Sequence, residues 1–311
     1  KMSQQYTLFI GLFIIAVLFI FQQQYTNQGS NPIQSFRKTE EDITPIKTLA
    51  ADTTKNLAPF DRASRTLEPS VCKDKFRDLW GNKHHGGWYV CSDPELLYSH
   101  KSDCIVYSYG LGADWSFDNT ASSEKHHCEV HGFDPSGLLW RQGMHGSDYS
   151  GIDYAKQYPG VNRIFHNWGI GAAAKVVYPA NTVPQEWPGL GDPQLSKSNS
   201  EPWEMRSIEQ SFEDLGHLNA TISVLKIDVE GAEWDSLTAL FGSPRMMTYI
   251  SEGHIRQLLV EYHWDPDSRA RNKRHDRLLS KILEHFVPWN IERHEGSDCC
   301  LDVSYVWKKN K

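Results

Sequence analysis

Asp228, Glu230 and His263 are the side chains best suited to moving a proton. The two carboxylates follow an apolar run, Ile222 to Asp228 (ISVLKID), and the imidazole follows another, Gln257 to Tyr262 (QLLVEY). A carboxylate or imidazole held beside a hydroxyl can take its proton as the oxygen attacks, and positioning of the reactants supplies much of the remaining rate. Each also has a plainer reading. Asp228 can cap the helix that starts beyond Gly231, Glu230 is an acid favoured at a helix start by the macrodipole, and His263 can be a satisfied polar residue. Glu233 reads as helix surface or a salt-bridge partner.

A second set could hold a nucleoside. Gly110 and Gly112 follow Cys104 to Tyr109 (CIVYSY), and glycine there lets the backbone approach a ligand closely. Asp134 ends Glu129 to Asp134 (EVHGFD), where a carboxylate can accept both ribose hydroxyls. A nicotinamide site would want a third glycine at position 115, which is Trp115. As structural alternatives, Asp134 can cap the Pro135-Ser136 turn, and Asp114 can cap a helix near Phe117.

These residues need strands to carry them. From about Ser70, short apolar segments alternate with helical ones, which predicts a parallel α/β sheet. CIVYSY, EVHGFD, Asn162 to His166, ISVLKID and QLLVEY are the expected parallel strands. Pro288 to His294 and Cys299 to Trp307 are the expected closing hairpin. Helices are expected over Ser207 to Leu215 with Ser207 as cap, over Ala232 to Phe241, and over Arg277 to Phe286. In an open sheet of this kind ligands bind beyond the carboxyl ends of the strands, where strand order reverses. All the residues above lie at such ends.

The motif LKIDVEGAEW closely resembles the fourth-strand motif of the FkbM-like branch of S-adenosylmethionine (SAM)-dependent methyltransferases. VYSYGLGADWSFD, EVHGFDPS and QLLVEYHW resemble a methyltransferase-like subgroup of secreted and membrane-anchored animal proteins, over a span from about Ser70 to the C-terminus. The resemblance implies a Rossmann-like, seven-stranded class I methyltransferase fold with SAM as cofactor. It implies that Gly110, Gly112 and Asp134 bind SAM and that Asp228 stands beside the methyl-donor sulfonium or the acceptor. The chain departs from the wider superfamily at Ser108, where an acid is common, and at Asp114, where a third glycine is common.

No charged side chain occurs from Met2 to Phe36, and Tyr6 to Phe21 is almost wholly apolar. Sixteen helical residues rise about 24 Å, slightly short of a bilayer core of about 30 Å. The expectation is a signal anchor or transmembrane helix over 1–22, a flexible stem over 23–70 and a methyltransferase domain over 71–311. A cleaved signal peptide, giving a secreted protein, is the alternative. The sequon Asn219-Ala220-Thr221 and six cysteines favour a lumenal domain in the Golgi or endoplasmic reticulum. Cys72 and Cys91, outside the expected strands, are the favoured disulfide pair. With 32 basic against 39 acidic residues and no basic stripe, a nucleic-acid partner is not expected. A glycan, glycoprotein or small-molecule acceptor fits better.

Two further patterns compete. Asp265-Pro266-Asp267 has the Asp-x-Asp form that binds a metal–nucleotide sugar, so a Golgi glycosyltransferase is one alternative function. An inactive methyltransferase fold acting as a binding module is another. His126, His127, Cys128 and His131 resemble metal ligands by type, but zinc spacing usually pairs two such clusters and no clear second one is present, so no metal is expected. His84 and His85 form a glycine-rich turn that could line an acceptor pocket.

Overall fold

The computed structural model describes residues 64–82, 85–98, 104–111, 114–135, 162–177, 203–263, 269–293 and 300–309. The expected anchor and most of the stem, Gly112, His84, the Asp265-Pro266-Asp267 motif and Cys299 lie outside the described residues. Among the described residues no helix is long and apolar enough to cross a membrane.

The elements run in order β1 (Arg77–Asn82), β2 (His85–Cys91), α1 (Pro94–Leu97), β3 (Ile105–Tyr109), α2 (Ser116–Ala121), β4 (Glu129–Phe133), β5 (Arg163–His166), β6 (Gly169–Ile170), β7 (Lys175–Val177) and β8 (Trp203–Arg206). They continue through α3 (Ile208–Asp214), β9 (Val224–Ile227), α4 (Glu233–Leu240), α5 (Pro244–Ser251), β10 (Gln257–His263), α6 (Arg269–His285), β11 (Phe286–Arg293) and β12 (Cys300–Trp307). Seven strands form one sheet in the order β11-β12-β10-β9-β3-β4-β5. Strands β3, β4, β5, β9 and β10 are parallel, and β12 runs antiparallel between β10 and β11. The chain winds outward from β3 through β4 to β5, then returns to start again at β9. Strand order therefore reverses between β3 and β9, the place where an open sheet accepts ligands.

Alternation explains the layers. On β3, β9 and β10, Tyr107, Tyr109, Leu225, Ile227, Leu258 and Val260 point to a core shared with Ile208, Phe212, Leu237, Leu240, Ile250 and Leu279 of α3 to α6. The intervening Val106, Val224 and Leu259 point to a second core with Trp80, Trp88, Val90 and Phe117, from the β1–β2 hairpin and α2. Both faces are covered, as a parallel sheet requires.

The expected strands and helices fall where the sequence puts them, within a residue or two at most ends. Ser207 is the cap of α3, and with Gln210 it closes a reciprocal capping box. Three expectations need correction. Cys91 is not outside a strand, since it ends β2. The last helix is longer than Arg277 to Phe286, and Phe286 instead opens β11. Strand β11 runs through Pro288, with an irregularity in the pairing between Pro288 and Asn290, where a missing N–H is tolerated. The β1–β2 hairpin, helix α5 and the small sheet β6-β8-β7 were not expected.

Cys72 and Cys91 are bonded, as favoured, and Cys104 is bonded to Cys128. The first bridge sits beside buried Trp289 and Val306, and the second closes the excursion from the start of β3 to the start of β4. Loops of 19 and 24 residues make each bridge worth roughly 3 kcal/mol on a chain-entropy basis.

Candidate active site

The second face of the sheet changes character along its length. At the amino ends it carries Val106, Val130, Val224 and Leu259, all buried apolar residues. Two residues further along it carries Ser108, Gly132, Lys226 and Glu261, and two further still Gly110, Asp134, Asp228 and His263. Period-two alternation thus gathers the ionisable groups at the carboxyl ends on one face.

The glycine loop is tied to its neighbours. Gly110 donates its N–H to Phe133 O at 2.9 Å, and Leu111 N–H donates to Asp134 Oδ2 at 3.0 Å. Gly110 has φ +76°, and a Cβ there would lie 1.5 Å from the carbonyl oxygen of Asp228. The need for glycine at 110 therefore comes first from the protein's own backbone, where the β3 loop crosses the end of β9. Asp114 caps locally, its Oδ1 accepting from Ser116 N–H at 2.8 Å. Asp134, 5% exposed, reaches back to the β3 loop.

Asp228, Glu230 and His263 are brought together, each offering a ligand-type atom within 4.8 Å of the others. His263 Nε2 lies 3.4 Å from Glu230 Oε2 and 3.5 Å from Glu261 Oε1, and its Nδ1 lies 3.4 Å from Glu233 Oε1. Lys226 Nζ donates to Gly110 O at 3.1 Å and stands 3.5 Å from Asp228 Oδ2. Glu230 takes a left-handed φ of +52° and, with Gly231 at +100°, turns the chain sharply into α4.

The burial of two acids was missed, although the salt-bridge reading of Glu233 holds through His263. Glu233 is fully buried, not surface: its Oε2 accepts from Gly231 N–H and its Oε1 from His263 N–H, both at 2.7 Å. It thereby joins the start of α4 to the end of β10. Glu261, 7% exposed, follows the apolar run Leu258 to Val260 within β10. The available signal was an acid inside QLLVEY and a lysine inside VLKID, both costly to bury without a purpose.

The environment separates the charges. Burial and the Asp228 carboxylate, which shares a hydrogen bond with it, push Glu261 up to about 11, so it holds a proton at neutral pH. Burial alone would raise Asp228 as well, but the Lys226 ammonium and the hydrogen bond from Glu261 outweigh it and Asp228 is lowered. Burial would lower His263, yet the Glu233 carboxylate, with Glu230 and Asp228, raises it above its ordinary value. At neutral pH the cluster thus holds a carboxylate and a carboxylic acid beside an imidazole whose acidic neighbours favour its protonated form.

Asp228, Glu230 and His263 are also a possible oxygen and nitrogen ligand set for a divalent ion. The neighbouring set Glu261, His263 and Cys300 is not, because Cys300 is disulfide-bonded. A groove of about 690 Å³ over β7 and β8, lined by Val176, Glu204, Met205 and Arg206 among others, shares no residue with this cluster.

A family model described as a methyltransferase domain matches residues 63–307. Among solved structures, the methyltransferase FkbM from Methylobacillus flagellatus KT is 14% identical with a TM-score of 0.39, covering 68% of this chain and 48% of its own. The match therefore spans about half the length of that protein. The antibiotic-resistance methyltransferase Kmr is 12% identical with a TM-score of 0.32, covering 66% of this chain and 87% of its own. A 16S rRNA (adenine(1408)-N(1))-methyltransferase from Catenulisporales acidiphilia, solved with cosubstrate SAM, is 12% identical with a TM-score of 0.32, covering 76% and 98%. At these scores none of the three bears on the acceptor of this chain. No curated protein matches it.

Proposed function

We propose that this chain, which belongs to the methyltransferase-domain family and is by that membership a SAM-dependent methyltransferase, methylates a hydroxyl of a glycan or glycoconjugate in the secretory pathway. One observation carries the hydroxyl reading: a carboxylate, a protonated carboxyl and an imidazole converge at the strand ends beside the β3 loop.

The residues at the switch point fit the cofactor. Asp134 is a buried-edge carboxylate at the end of β4, suited to ribose hydroxyls, and Gly110 bends the β3 loop around the crevice that Asp228 borders. Bound SAM supplies an electrophilic methyl group. The chain's own part is to place the acceptor and remove its proton. Glu233, held by two backbone N–H groups, stands 3.4 Å from His263 Nδ1 and would keep a proton there, so that Nε2, once deprotonated, accepts the hydroxyl proton. Asp228 stays ionised beside Lys226 and orients the hydroxyl, while Glu261 keeps its proton and donates to Asp228. A fixed arrangement of this kind costs no reorganisation during reaction.

The compartment is supported by the Cys72–Cys91 and Cys104–Cys128 disulfides and by the exposed turn that presents Asn219 of the sequon, both features of an oxidising, glycosylating environment. A neutral, hydroxyl-rich acceptor agrees with the net charge of −7. The test is mass spectrometry of glycans and glycoproteins from cells with and without the gene. Loss of single methyl groups from a glycan class is expected. Unchanged glycans, with SAM bound by the purified protein, refute the acceptor.

A further inference from the structure

On the opposite face and at the opposite end of the sheet, two histidines and a carboxylate converge. Glu129 opens β4, His131 lies two residues along the same face, and His217 is in the turn after α3. Glu129 Oε1 is 2.8 Å from His131 Nε2 and 4.0 Å from His217 Nε2. Four residue steps separate Glu129 from Phe133 and two separate His131 from it, so they stand roughly 13 and 7 Å from the crevice end of β4.

The other nitrogen of each imidazole is already engaged. His131 Nδ1 meets His166 Nε2 at 2.9 Å, and His217 Nδ1 meets the Tyr107 hydroxyl at 2.8 Å. Both partners are buried, His166 8% and Tyr107 0% exposed, so both rings are fixed in orientation from behind. The Tyr107 hydroxyl oxygen can accept from His217 Nδ1. Both Nε2 atoms then face the same carboxylate oxygen. Metal-binding histidines characteristically have the outer nitrogen held this way.

We propose that Glu129, His131 and His217 form a site for a zinc-class divalent cation, independent of the methyl-transfer crevice. Two imidazoles and one carboxylate are the ligand types zinc takes, with bonds of about 2.0 to 2.2 Å. Tetrahedral bonds of that length put donor atoms roughly 3.4 Å apart. The separations of 2.8 and 4.0 Å straddle that value, and Glu129 has a 37% exposed side chain free to adjust. The exposed side leaves room for water as the fourth ligand. The ion would pin the turn after α3 to the first residue of β4, a structural role far from the acceptor.

The experiment measures zinc in the purified full chain after exhaustive dialysis, together with the thermal midpoint with and without added zinc. Cobalt substitution reports the geometry through its visible spectrum. Wild type is expected to retain about one equivalent of zinc and to melt several degrees higher with zinc, since a ligand bound only by the native state stabilises it. Glu129→Gln and His217→Ala should lose both effects while keeping the wild-type circular dichroism spectrum, and Asp228→Asn should keep both. The proposal is overturned if wild type retains no zinc and shows no shift. It is equally overturned if all four proteins retain zinc alike, or if Asp228→Asn alone loses it.

Discussion

Glu261→Gln should make the protein more stable at neutral and alkaline pH. Glu261 is buried at 7% exposure and pushed up to about 11 by that burial and by Asp228, whereas in the unfolded chain it titrates near 4.5. The folded state therefore holds a proton that the unfolded state releases. For such a raised group stability is complete below the unfolded value and declines as pH rises toward the folded one. Each pH unit between the two removes at most about 1.4 kcal/mol, so an upper bound at pH 7.5 is about 4 kcal/mol. Asp228, lowered in the same pair, works the other way, but its contribution is already complete above its unfolded value of 3.8. Because the pair shares one proton, the penalty belongs to the pair, and half the bound, about 2 kcal/mol, is taken for pH 7.5. Glutamine keeps the shape and the hydrogen-bond donor without needing a proton. The assay is thermal and urea unfolding from pH 5 to 9. Wild type should weaken across that range, and Glu261→Gln should be flatter and melt roughly 4 to 8 °C higher at pH 7.5. A wild-type profile flat from pH 5 to 9, or a variant less stable than wild type at pH 8, refutes the protonated-carboxyl assignment.

Glu233→Gln removes the largest favourable influence on the His263 imidazolium and leaves one of two buried backbone donors poorly paired. His263, followed by NMR with His263→Gln for assignment, should titrate lower than in wild type, with a stability loss of about 1–3 kcal/mol. An unchanged titration contradicts the role given to Glu233. Gly110→Ala places a methyl group 1.5 Å from Asp228 O at φ +76°, so the β3 loop must shift. SAM binding should fall at least about tenfold, since small misplacements in a crevice cost that much or more. Reduction of the Cys72–Cys91 and Cys104–Cys128 disulfides should lower unfolding stability by several kcal/mol, at roughly 3 kcal/mol each, in chemical denaturation with and without reductant.

The order of strands, the closing hairpin and the α3 cap were legible because each rests on a local pattern: an apolar run with a terminal acid, or Ser207 with Gln210 three residues on. The positions of Asp228, Glu230 and His263 were legible for the same reason, since strand ends are where an α/β sheet presents side chains. The β1–β2 hairpin was not, because Arg77 to Cys91 mixes glycine, histidine and tryptophan without clear alternation, and burial under Trp80 and Trp88 is a tertiary matter. Glu233 reads from sequence as helix surface or a salt-bridge partner, and it is the second, paired with His263. Only the fold shows that its turn faces the end of β10. His217 joins His131 across 86 residues, a distance over which spacing rules are silent. Disulfide Cys104–Cys128 likewise depends on parallel neighbours β3 and β4, which no cysteine count reveals.

Calorimetric titration of SAM into the purified full chain tests the central claim most directly, with Asp134→Ala and Gly110→Ala measured beside it. Micromolar binding by wild type is predicted, at least about tenfold weaker in both variants while each keeps the wild-type circular dichroism spectrum. No binding by folded wild type, or equal binding by all three proteins, contradicts the placement of the cofactor at the β3–β9 switch point.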